Sequence, residues 1–468
     1  MSVIDFLLVG GTVLFSLASL VSRRSRAPRA IGMLSLLAAG CLLQVLLEGW
    51  YWQFTPVYLL ILLGLLRAVL QDGPRWRMVA ARTGQAGAVC ALGMSWVFLP
   101  VPDLPAPSGP YAVGTEVFRW VDATRPEPAT DAPQDRRNII VQAWYPAPRG
   151  AVGEHAVYLD GLGHLPRFVS GVPSMVMTRY DRINTHGLLA APLSDDRAKW
   201  PVVLFSPGYG ASRSFYTSLL SDLASRGFVV LAIDHPFEAA VTTLADGYIA
   251  TPVERFAAND PYRLAYMSEH LDIRTADMDA VLDQLARKER WGALSGRMDL
   301  DRIAAIGHSF GGATAVAVMA RDSRVKAAAN IDGTLYGTLA ERHLGRPFLL
   351  VESDHGETGH SEMYQRGNQR LIANLRDQGF RYQIARANHY SFTDAPLMFS
   401  PPARWLLAQL VGGSRGPTET LHATNDIVAA FLQGPLTGRP ADIERAARRY
   451  QNIQGGPVQG NAMTLTRR

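Results

Sequence analysis

Ser309 is the residue whose surroundings most clearly suggest chemistry. It lies in the run Gly307-His308-Ser309-Phe310-Gly311-Gly312, after an apolar stretch at residues 303–306 and before a helical pattern at 313–320. A strand, a sharp turn and a helix in this order match the G-x-S-x-G elbow, which needs glycines because the strand and the helix pass very close to each other. Such a turn exposes the serine hydroxyl and points backbone N–H groups at a helix N-terminus, where negative charge is favoured. The pattern predicts a nucleophilic serine; the alternative is a glycine-rich turn without chemistry.

A serine attacks an ester at neutral pH only when a base is nearby, and the base needs an acid to orient it. His389 follows a predicted strand at residues 381–385 and is the candidate base. The alternative is a loop histidine without a role. His355 and His360 lie near another strand end and are weaker candidates for the base.

Two aspartates are candidates for the orienting acid. Asp332 follows a predicted strand at residues 325–331, and Asp354 follows another at 348–351. Either preserves the order Ser, Asp, His that is expected of α/β-hydrolases. Gly333 would allow a sharp turn beside Asp332, whereas Asp354 lies in a polar run typical of a solvated loop. The residue pattern alone leaves both open.

An oxyanion hole needs an N–H group from the loop after an early strand. The run Phe205-Ser206-Pro207-Gly208-Tyr209-Gly210 fits, because its glycines would let the backbone N–H of Tyr209 face the elbow. The alternative is a simple Pro-Gly turn. Of two nearby histidines, His308 is expected to pack away from the site, and His235 could line its rim without an assigned role.

The elements that would position these residues alternate from Trp200 onward. Predicted strands lie at residues 201–205, 228–233, 302–306, 325–331, 348–351 and 381–385, and predicted helices at 212–226, 273–287 and 369–378. Alternating strands and helices indicate an α/β domain with a mostly parallel sheet and helices on both faces. Ligands of such sheets bind at the carboxyl ends of the strands, where all the candidate residues fall.

The first hundred residues have a different pattern. Four apolar segments, at residues 3–21, 31–52, 57–70 and 86–101, predict about four transmembrane helices. The arginines concentrate in the loops at 22–29 and 72–83, so the positive-inside rule places those loops in the cytoplasm and everything after Val101 on the extracytoplasmic side, periplasmic or outer. The alternative is a soluble helical domain with buried helices.

The net charge of +5 comes from those two loops, and the remaining sequence is nearly balanced. A nucleic-acid partner is therefore not expected. The two cysteines, Cys41 and Cys90, both lie in the apolar segments, which argues against a disulfide framework in the later domain. No clustered metal-ligand spacing or nucleotide-binding loop is evident in the sequence, so no cofactor or metal is predicted.

The predicted organisation has four parts. Residues 1–101 form the membrane region, and 102–135 form a proline-rich linker and lead-in. Residues 136–435 form the catalytic domain, with a first strand at 138–145, and 436–468 form a basic C-terminal tail. Within the catalytic domain residues 150–198 are irregular. An apolar patch at 172–177 could be a lid or a rim, but a plain loop is favoured.

Several stretches are similar to one known family. Leu204-Phe205-Ser206-Pro207-Gly208-Tyr209-Gly210, Leu223-Ala224-Ser225-Arg226-Gly227-Phe228-Val229-Val230, Asp234-His235 and the elbow resemble the platelet-activating-factor acetylhydrolase family of α/β-hydrolases, over about residues 136–435. The resemblance implies metal-free hydrolysis of short or oxidised acyl chains from phospholipids. It also implies the nucleophile Ser309, the base His389, the acid Asp332, and backbone oxyanion donors at Tyr209 and Phe310. The sequence departs from the family pattern at Pro207, where a histidine is more usual, and in having the four apolar segments.

These observations together predict a membrane-anchored serine esterase that acts on an ester or lipid substrate and needs no obligate protein partner. A general carboxylesterase or polyester hydrolase is the alternative within the same enzyme class. A membrane-tethered binding protein that retains the hydrolase fold without catalysis is the alternative from another class.

Overall fold

The computed structural model of the chain describes residues 3–21, 28–50, 52–69, 75–98, 102–161, 180, 183–253, 260–439 and 442–460. The chain divides into two compact units. One comprises Met1–Pro102 with Met398–Arg404, and the other comprises Asp103–Leu397 with Trp405–Arg468.

The first unit is helical. Its helices are α1 (Val3–Val21), α2 (Pro28–Glu48), α3 (Thr55–Val69) and α4 (Arg75–Phe98). Apolar side chains from α1, α2, α3 and α4 pack into one core, which includes Leu8, Leu34, Leu60 and Leu92. Helix α4 begins well before the apolar segment predicted at 86–101, because residues 75–85 are mostly good helix formers although they are not apolar.

The predicted transmembrane helices find no support in the described part of this unit, where no helix combines the length and the hydropathy needed to cross a membrane. Helix α3 has 15 residues, and at 1.5 Å per residue it reaches about 22 Å, less than the roughly 30 Å of a hydrocarbon core. The first third of helix α4 contains Arg75, Arg77 and Arg82, so this part of the helix is not apolar. The prediction of about four transmembrane helices is therefore not supported by the described residues.

The second unit contains the remaining elements. Its strands are β1 (Ala112–Pro126), β2 (Arg136–Ala147), β3 (Gly187–Leu189), β4 (Trp200–Ser206), β5 (Val229–Asp234), β6 (Thr242–Thr243), β7 (Ile249–Ala250), β8 (Met298–His308), β9 (Val325–Ile331), β10 (Phe348–Ser353), β11 (Gly379–Ile384) and β12 (Ile453–Val458). Its α-helices in the described residues are α5 (Thr217–Ser225), α6 (Arg263–Gln284), α7 (Phe310–Arg321), α8 (His355–Thr358), α9 (Glu362–Ala373), α10 (Pro401–Val411), α11 (Pro417–Thr437) and α12 (Ile443–Arg448). The first residues of α10, up to Arg404, are assigned to the other unit.

One large sheet organises this unit. In the described chain its strand order is β12-β11-β10-β9-β8-β4-β5-β2-β1-β3, and β6 pairs with β7 separately. From β5 through β4, β8, β9 and β10 to β11, every neighbouring pair is parallel. Strands β2 and β12 pair antiparallel with β5 and β11. The predicted α/β fold with a mostly parallel sheet is confirmed.

The central strands are buried on both faces. All seven residues of β4 are buried, as expected for a parallel strand covered by helices on both sides. Because side chains alternate along a strand, Val202 and Leu204 join the core on one face, and Val203 and Phe205 join the core on the other. The carboxyl ends of these parallel strands therefore meet at one edge, where the candidate residues follow β4, β8, β9 and β11.

Two predicted boundaries are wrong. The expected linker at 102–135 contains β1, whose residues pair along β2 from Ala112 to Pro126. The expected tail at 436–468 contains α12 and β12, which pairs with β11 at the edge of the sheet. Strand β12 carries Gly455, Gly456 and Pro457, residues that usually mark turns and are tolerated in strands mainly at sheet edges.

Smaller differences concern helix starts and the irregular region. Helix α9 begins earlier than the predicted 369–378, because the Ser361 side chain accepts a hydrogen bond from Tyr364 N–H and caps the helix. Helix α6 likewise begins ten residues before the predicted 273. Within 150–198 the described residues include β3, and the apolar patch at 172–177 lies outside the described residues.

Candidate active site

Ser309 occupies a strained turn between β8 and α7. Its backbone has φ +56° and ψ −123°, a conformation that is costly for a residue other than glycine and that tends to occur at functional sites. A Cβ atom on Gly307 would collide with the Gly311 carbonyl, and one on Gly311 would collide with the Ser206 carbonyl. The glycines on both sides of the serine are thus required by the close approach of the strand, the helix and the loop after β4.

His389 lies against Ser309. Its Nε2 is 2.9 Å from Ser309 Oγ, and its side chain is 31 % exposed, so the imidazole is accessible to a substrate. The short 3₁₀ turn that carries it, His389–Phe392, is capped by Asn388, whose side chain accepts from the Tyr390 N–H while Ser391 Oγ accepts from the Asn388 N–H. This reciprocal cap fixes the position of the imidazole after β11.

Asp332 lies on the other side of His389. Its Oδ2 is 2.7 Å from His389 Nδ1, and its side chain is fully buried. Because a carboxylate only accepts, His389 donates through Nδ1–H, and its Nε2 lone pair is left to accept the Ser309 hydroxyl proton. Asp354, the other candidate, instead caps α8 at Gly356 N–H and accepts from Arg386 N–H. The structure brings Asp332 to His389 and places Asp354 elsewhere.

The Asp332 carboxylate is held by many donors. Ser353 donates through its backbone N–H at 2.8 Å and its hydroxyl at 2.9 Å, and His360 Nε2–H donates at 3.0 Å. Burial alone would raise the pKa of Asp332, but hydrogen bonds from His360 and His389 outweigh it and hold the pKa well below the usual range. Asp332 is therefore expected to be ionised at neutral pH.

His360 is a neighbour of the site whose position the sequence did not predict. Its ring stacks on Tyr364 with centroids 3.9 Å apart, and its Nδ1 is 2.6 Å from Nδ1 of the more exposed His355. Expected only as a weaker candidate for the base, His360 contacts the carboxylate oxygen that does not face His389. Its position supports Asp332 rather than Ser309.

The loop after β4 passes directly over Ser309. A Cβ on Gly208 would lie 3.2 Å from Ser309 Cβ. The Arg274 guanidinium donates to the Pro207 carbonyl at 2.7 Å and lies over the Phe310 ring. Phe310 is the first residue of α7, where the N-terminus of the helix favours negative charge. The loop therefore has the position expected for oxyanion donors; the roles of the Tyr209 and Phe310 N–H groups stay predictions.

His235 belongs to a second serine–histidine–aspartate arrangement. Its Nε2 is 2.9 Å from Ser206 Oγ, and its Nδ1 is 2.8 Å from Asp277 Oδ2. All three side chains are buried, and Arg137 donates to both oxygens of the Asp277 carboxylate. Burial, and then the nearby Arg274, lowers the pKa of His235, so the imidazole is neutral. This group anchors the end of β4 and is closed to substrate.

Of this group the sequence analysis singled out only His235, because Asp277 and Arg137 come from distant elements without a local motif. Among the described residues no set of three or more histidine, cysteine, aspartate or glutamate side chains is placed to hold a metal ion. That no cofactor is needed stays a prediction.

Comparisons with known proteins indicate the family of this chain. The sequence profile of "Platelet-activating factor acetylhydrolase, isoform II" matches residues 101–254 and 267–445. A probable 1-alkyl-2-acetylglycerophosphocholine esterase from Arthroderma benhamiae is 25% identical over 67% of this chain and 82% of its own length. A platelet-activating factor acetylhydrolase from Cavia porcellus is 22% identical over 54% of this chain and 61% of its own length.

A solved structure is also similar. The ferulic acid esterase from Streptomyces cinnamoneus aligns with a TM-score of 0.64 and 29% identity, over 76% of this chain and 99% of the esterase. Family, relatives and structural neighbour agree on carboxylic ester hydrolysis. Because the family profile covers more than half of the sequence, the chain belongs to the platelet-activating factor acetylhydrolase isoform II family and is a carboxylic ester hydrolase.

Proposed function

We propose that this protein hydrolyses carboxylic esters of phospholipids that carry a short or oxidised acyl chain, with Ser309 as the nucleophile, His389 as the base and Asp332 as the orienting acid. The observation that carries the proposal is the continuous hydrogen-bonded series from Ser309 Oγ to His389 and on to Asp332, with separations of 2.9 and 2.7 Å. Its position at the carboxyl ends of the parallel strands suits a bound substrate.

The geometry supports a two-step mechanism. His389 Nε2 takes the hydroxyl proton as Ser309 Oγ attacks the ester carbonyl, and Asp332 stabilises the imidazolium that forms. The backbone N–H groups of Tyr209 and Phe310 would bind the oxyanion of the tetrahedral intermediate. His389 then protonates the leaving alcohol, and the same groups activate water to hydrolyse the acyl-enzyme.

Aromatic side chains beside the elbow support a second candidate substrate, an aromatic-acid or other small carboxylic ester. The Tyr209 and Phe310 rings meet edge-to-face at 6.4 Å, and Phe310 meets Tyr336 in the same way at 5.4 Å. Phe310 and Tyr336 are buried, so the partly buried Tyr209 ring, which they support, is the one that would pack against a flat acyl group. The structural neighbour acts, by its name, on ferulic acid esters.

We further propose that the helical unit associates with a membrane and that the hydrolase unit lies on its extracytoplasmic side. The distribution of polarity in the helical unit supports this, since Thr12, Ser16 and Gln85 are buried there. Many of the exposed side chains are large and apolar: Leu7, Leu14, Leu36, Leu42, Leu46, Leu47, Leu62 and Met94. Polar residues inside and apolar residues outside are typical of proteins in contact with lipid.

The substrate proposal is tested with the purified full-length protein and a panel of esters. Phosphatidylcholines with sn-2 chains of graded length are compared with methyl ferulate and 4-nitrophenyl acetate, and the Ser309→Ala variant serves as the blank. We expect the highest kcat/KM for the shortest sn-2 chains. A preference for methyl ferulate over every phospholipid would move the assignment to the aromatic-ester candidate. Failure to hydrolyse any ester, with an intact fold, would favour the non-catalytic alternative.

A further inference from the structure

His308, the neighbour of the nucleophile, forms hydrogen bonds in two directions. Its side chain is buried at the end of β8. The ring Nδ1 is 2.8 Å from the Tyr216 hydroxyl, and the ring Nε2 is 2.9 Å from the backbone carbonyl of His389. Tyr216 is 1 % exposed, and its hydroxyl accepts a hydrogen bond of 3.0 Å from the Gly208 N–H. The expectation that His308 only packs is therefore incomplete.

The atoms of this series allow one arrangement of protons. A carbonyl oxygen only accepts, so His308 must donate to His389 through Nε2–H. In a neutral imidazole the other nitrogen, Nδ1, is then an acceptor, so the Tyr216 hydroxyl donates to it. The oxygen of Tyr216 keeps a lone pair for the Gly208 N–H. Every donor meets an acceptor, and the series runs in one direction from Gly208 to His389.

The surroundings keep His308 neutral, as this arrangement requires. Burial, followed by the nearby His389, lowers the pKa of His308 to about 3. The two imidazole rings lie with centroids 4.6 Å apart, so a charged His308 would repel the imidazolium that forms on His389 during catalysis. Burial also raises the pKa of Tyr216, so its hydroxyl keeps its proton. At neutral pH His308 is therefore neutral and Tyr216 protonated, as the hydrogen-bonded series requires.

This hydrogen-bonded series connects the oxyanion loop, the nucleophile and the loop that carries the base. Gly208 precedes Tyr209, the expected donor of an oxyanion N–H, and lies against Ser309 Cβ. His308 precedes the nucleophile in the chain, and His389 carries the base. The loop after β4 and the loop after β11 are far apart in sequence, and the Tyr216 and His308 side chains form a bridge between them.

We propose that Tyr216 and His308 are positioning residues for ester hydrolysis, which hold the oxyanion loop and the base loop in fixed relation to Ser309. This inference rests on the proposed function of the Ser309 site. Since both loops act on the transition state, loss of the bridge should lower kcat and leave KM nearly unchanged. Small misplacements of catalytic groups can cost about 10²-fold in rate, so we expect kcat to fall by roughly ten- to a hundredfold.

The test uses full-length variants on one soluble ester. Tyr216→Phe removes the hydroxyl alone, and His308→Leu removes both ring nitrogens, whereas His308→Gln keeps one donor and one acceptor. Tyr145→Phe is the matched control, because Tyr145, like Tyr216, is a buried tyrosine whose hydroxyl forms a hydrogen bond. Its partner is the backbone carbonyl of Ala191, at 2.8 Å. Thermal unfolding of each variant reports on the fold, and labelling with a fluorophosphonate reports on the reactivity of Ser309.

We expect Tyr216→Phe and His308→Leu to lower kcat and the labelling rate, His308→Gln to recover part of the loss, and Tyr145→Phe to match the wild type. The double variant Tyr216→Phe/His308→Leu should lose little more than His308→Leu alone, because both changes break the same series. Single variants with unchanged kcat, or single losses that multiply in the double variant, would overturn the inference. If Tyr216→Phe or His308→Leu does not fold, the comparison of kcat between His308→Gln and Tyr145→Phe tests the inference. A kcat of His308→Gln equal to that of Tyr145→Phe would overturn it. An inactive wild type would instead refute the proposed function.

Discussion

At the scale of single residues, the two aspartates after neighbouring strands show how local geometry separates two similar candidates. Both follow a strand end on the same edge of the sheet. Asp332 has a positive φ of 55°, which turns its side chain back towards His389, while Asp354 has an extended backbone and caps the next helix. The sequence shows which residues follow strands, but it does not show which of them the chain turns inward.

The two aspartates are therefore expected to respond differently to the same substitution. Asp332→Asn removes the charge that stabilises the His389 imidazolium and permits the wrong tautomer, so kcat should fall by about 10⁴. Asp354→Asn is the matched control and should change kcat by less than about threefold, because its side chain bonds to backbone N–H groups away from Ser309. Steady-state rates of the two purified variants on one ester decide, and the reverse ranking would assign the acid to Asp354.

Asp394 is a buried carboxyl near the base loop that the mechanism does not use. It accepts hydrogen bonds from Ser218 N–H at 3.3 Å and from the Tyr158 hydroxyl at 3.2 Å. Burial raises its pKa to about 7, although the bonds from Ser218 oppose the shift. In the unfolded chain the pKa is about 4. Between these two values the folded protein binds the proton more tightly, so this group makes the protein less stable as the pH rises from about 4 to about 7.

Asp394→Asn should remove that dependence, because an amide does not ionise and its oxygen can still accept both hydrogen bonds. Between pH 5 and pH 8 the free energy of unfolding of the wild type should fall by roughly 2–3 kcal/mol more than that of the variant. Urea titrations of both proteins at the two pH values measure the difference. Equal pH dependence in the two proteins would show that Asp394 ionises normally in the fold.

At the scale of elements, continuous apolar strands were predictable and polar edge strands were not. Strand β9 lies at the predicted residues, and β10 extends the prediction by two, because runs such as Phe348 to Val351 are buried on both faces. Strands β1 and β12 lie towards the edges of the sheet and are only partly buried, so no continuous apolar run marks them. The bridge through Tyr216 and the anchor at Asp277 join distant elements, and no local pattern could indicate them.

Strand β12 is expected to matter for both stability and activity. It pairs with β11 from Gly379 to Ile384, and the Arg415 guanidinium donates to the Gln451 carbonyl just before it. Truncation after Gly438 would expose the backbone edge of β11, the strand that leads to His389. We expect a lower melting temperature and a lower kcat than for a control truncated after Gly460. Equal melting temperatures and rates for the two truncations would contradict this role.

At the scale of the whole molecule, the proposed extracytoplasmic position of the hydrolase unit can be tested. If the hydrolase unit lies outside the cytoplasm, a reporter active only in the periplasm should be active when fused after Pro110 in a bacterial host. A cytoplasmic reporter should give the opposite result. Separation of the full-length protein into membrane and soluble fractions is the control. Activity of the cytoplasmic reporter after Pro110 would contradict the extracytoplasmic placement.

The central claim is that Ser309 is the nucleophile of a serine ester hydrolase, and the most direct measurement is mass mapping of the full-length protein after reaction with a fluorophosphonate. The positive φ of Ser309 and its 2.9 Å contact with His389 are the reasons for expecting its hydroxyl to be the activated one. We expect one adduct, located on Ser309, with loss of ester hydrolysis in proportion to labelling. Ser309→Ala should remain folded, take up no label, and lose kcat by about 10⁶. An adduct on another serine, or a Ser309→Ala variant that still hydrolyses esters, would contradict the assignment of Ser309 as the nucleophile.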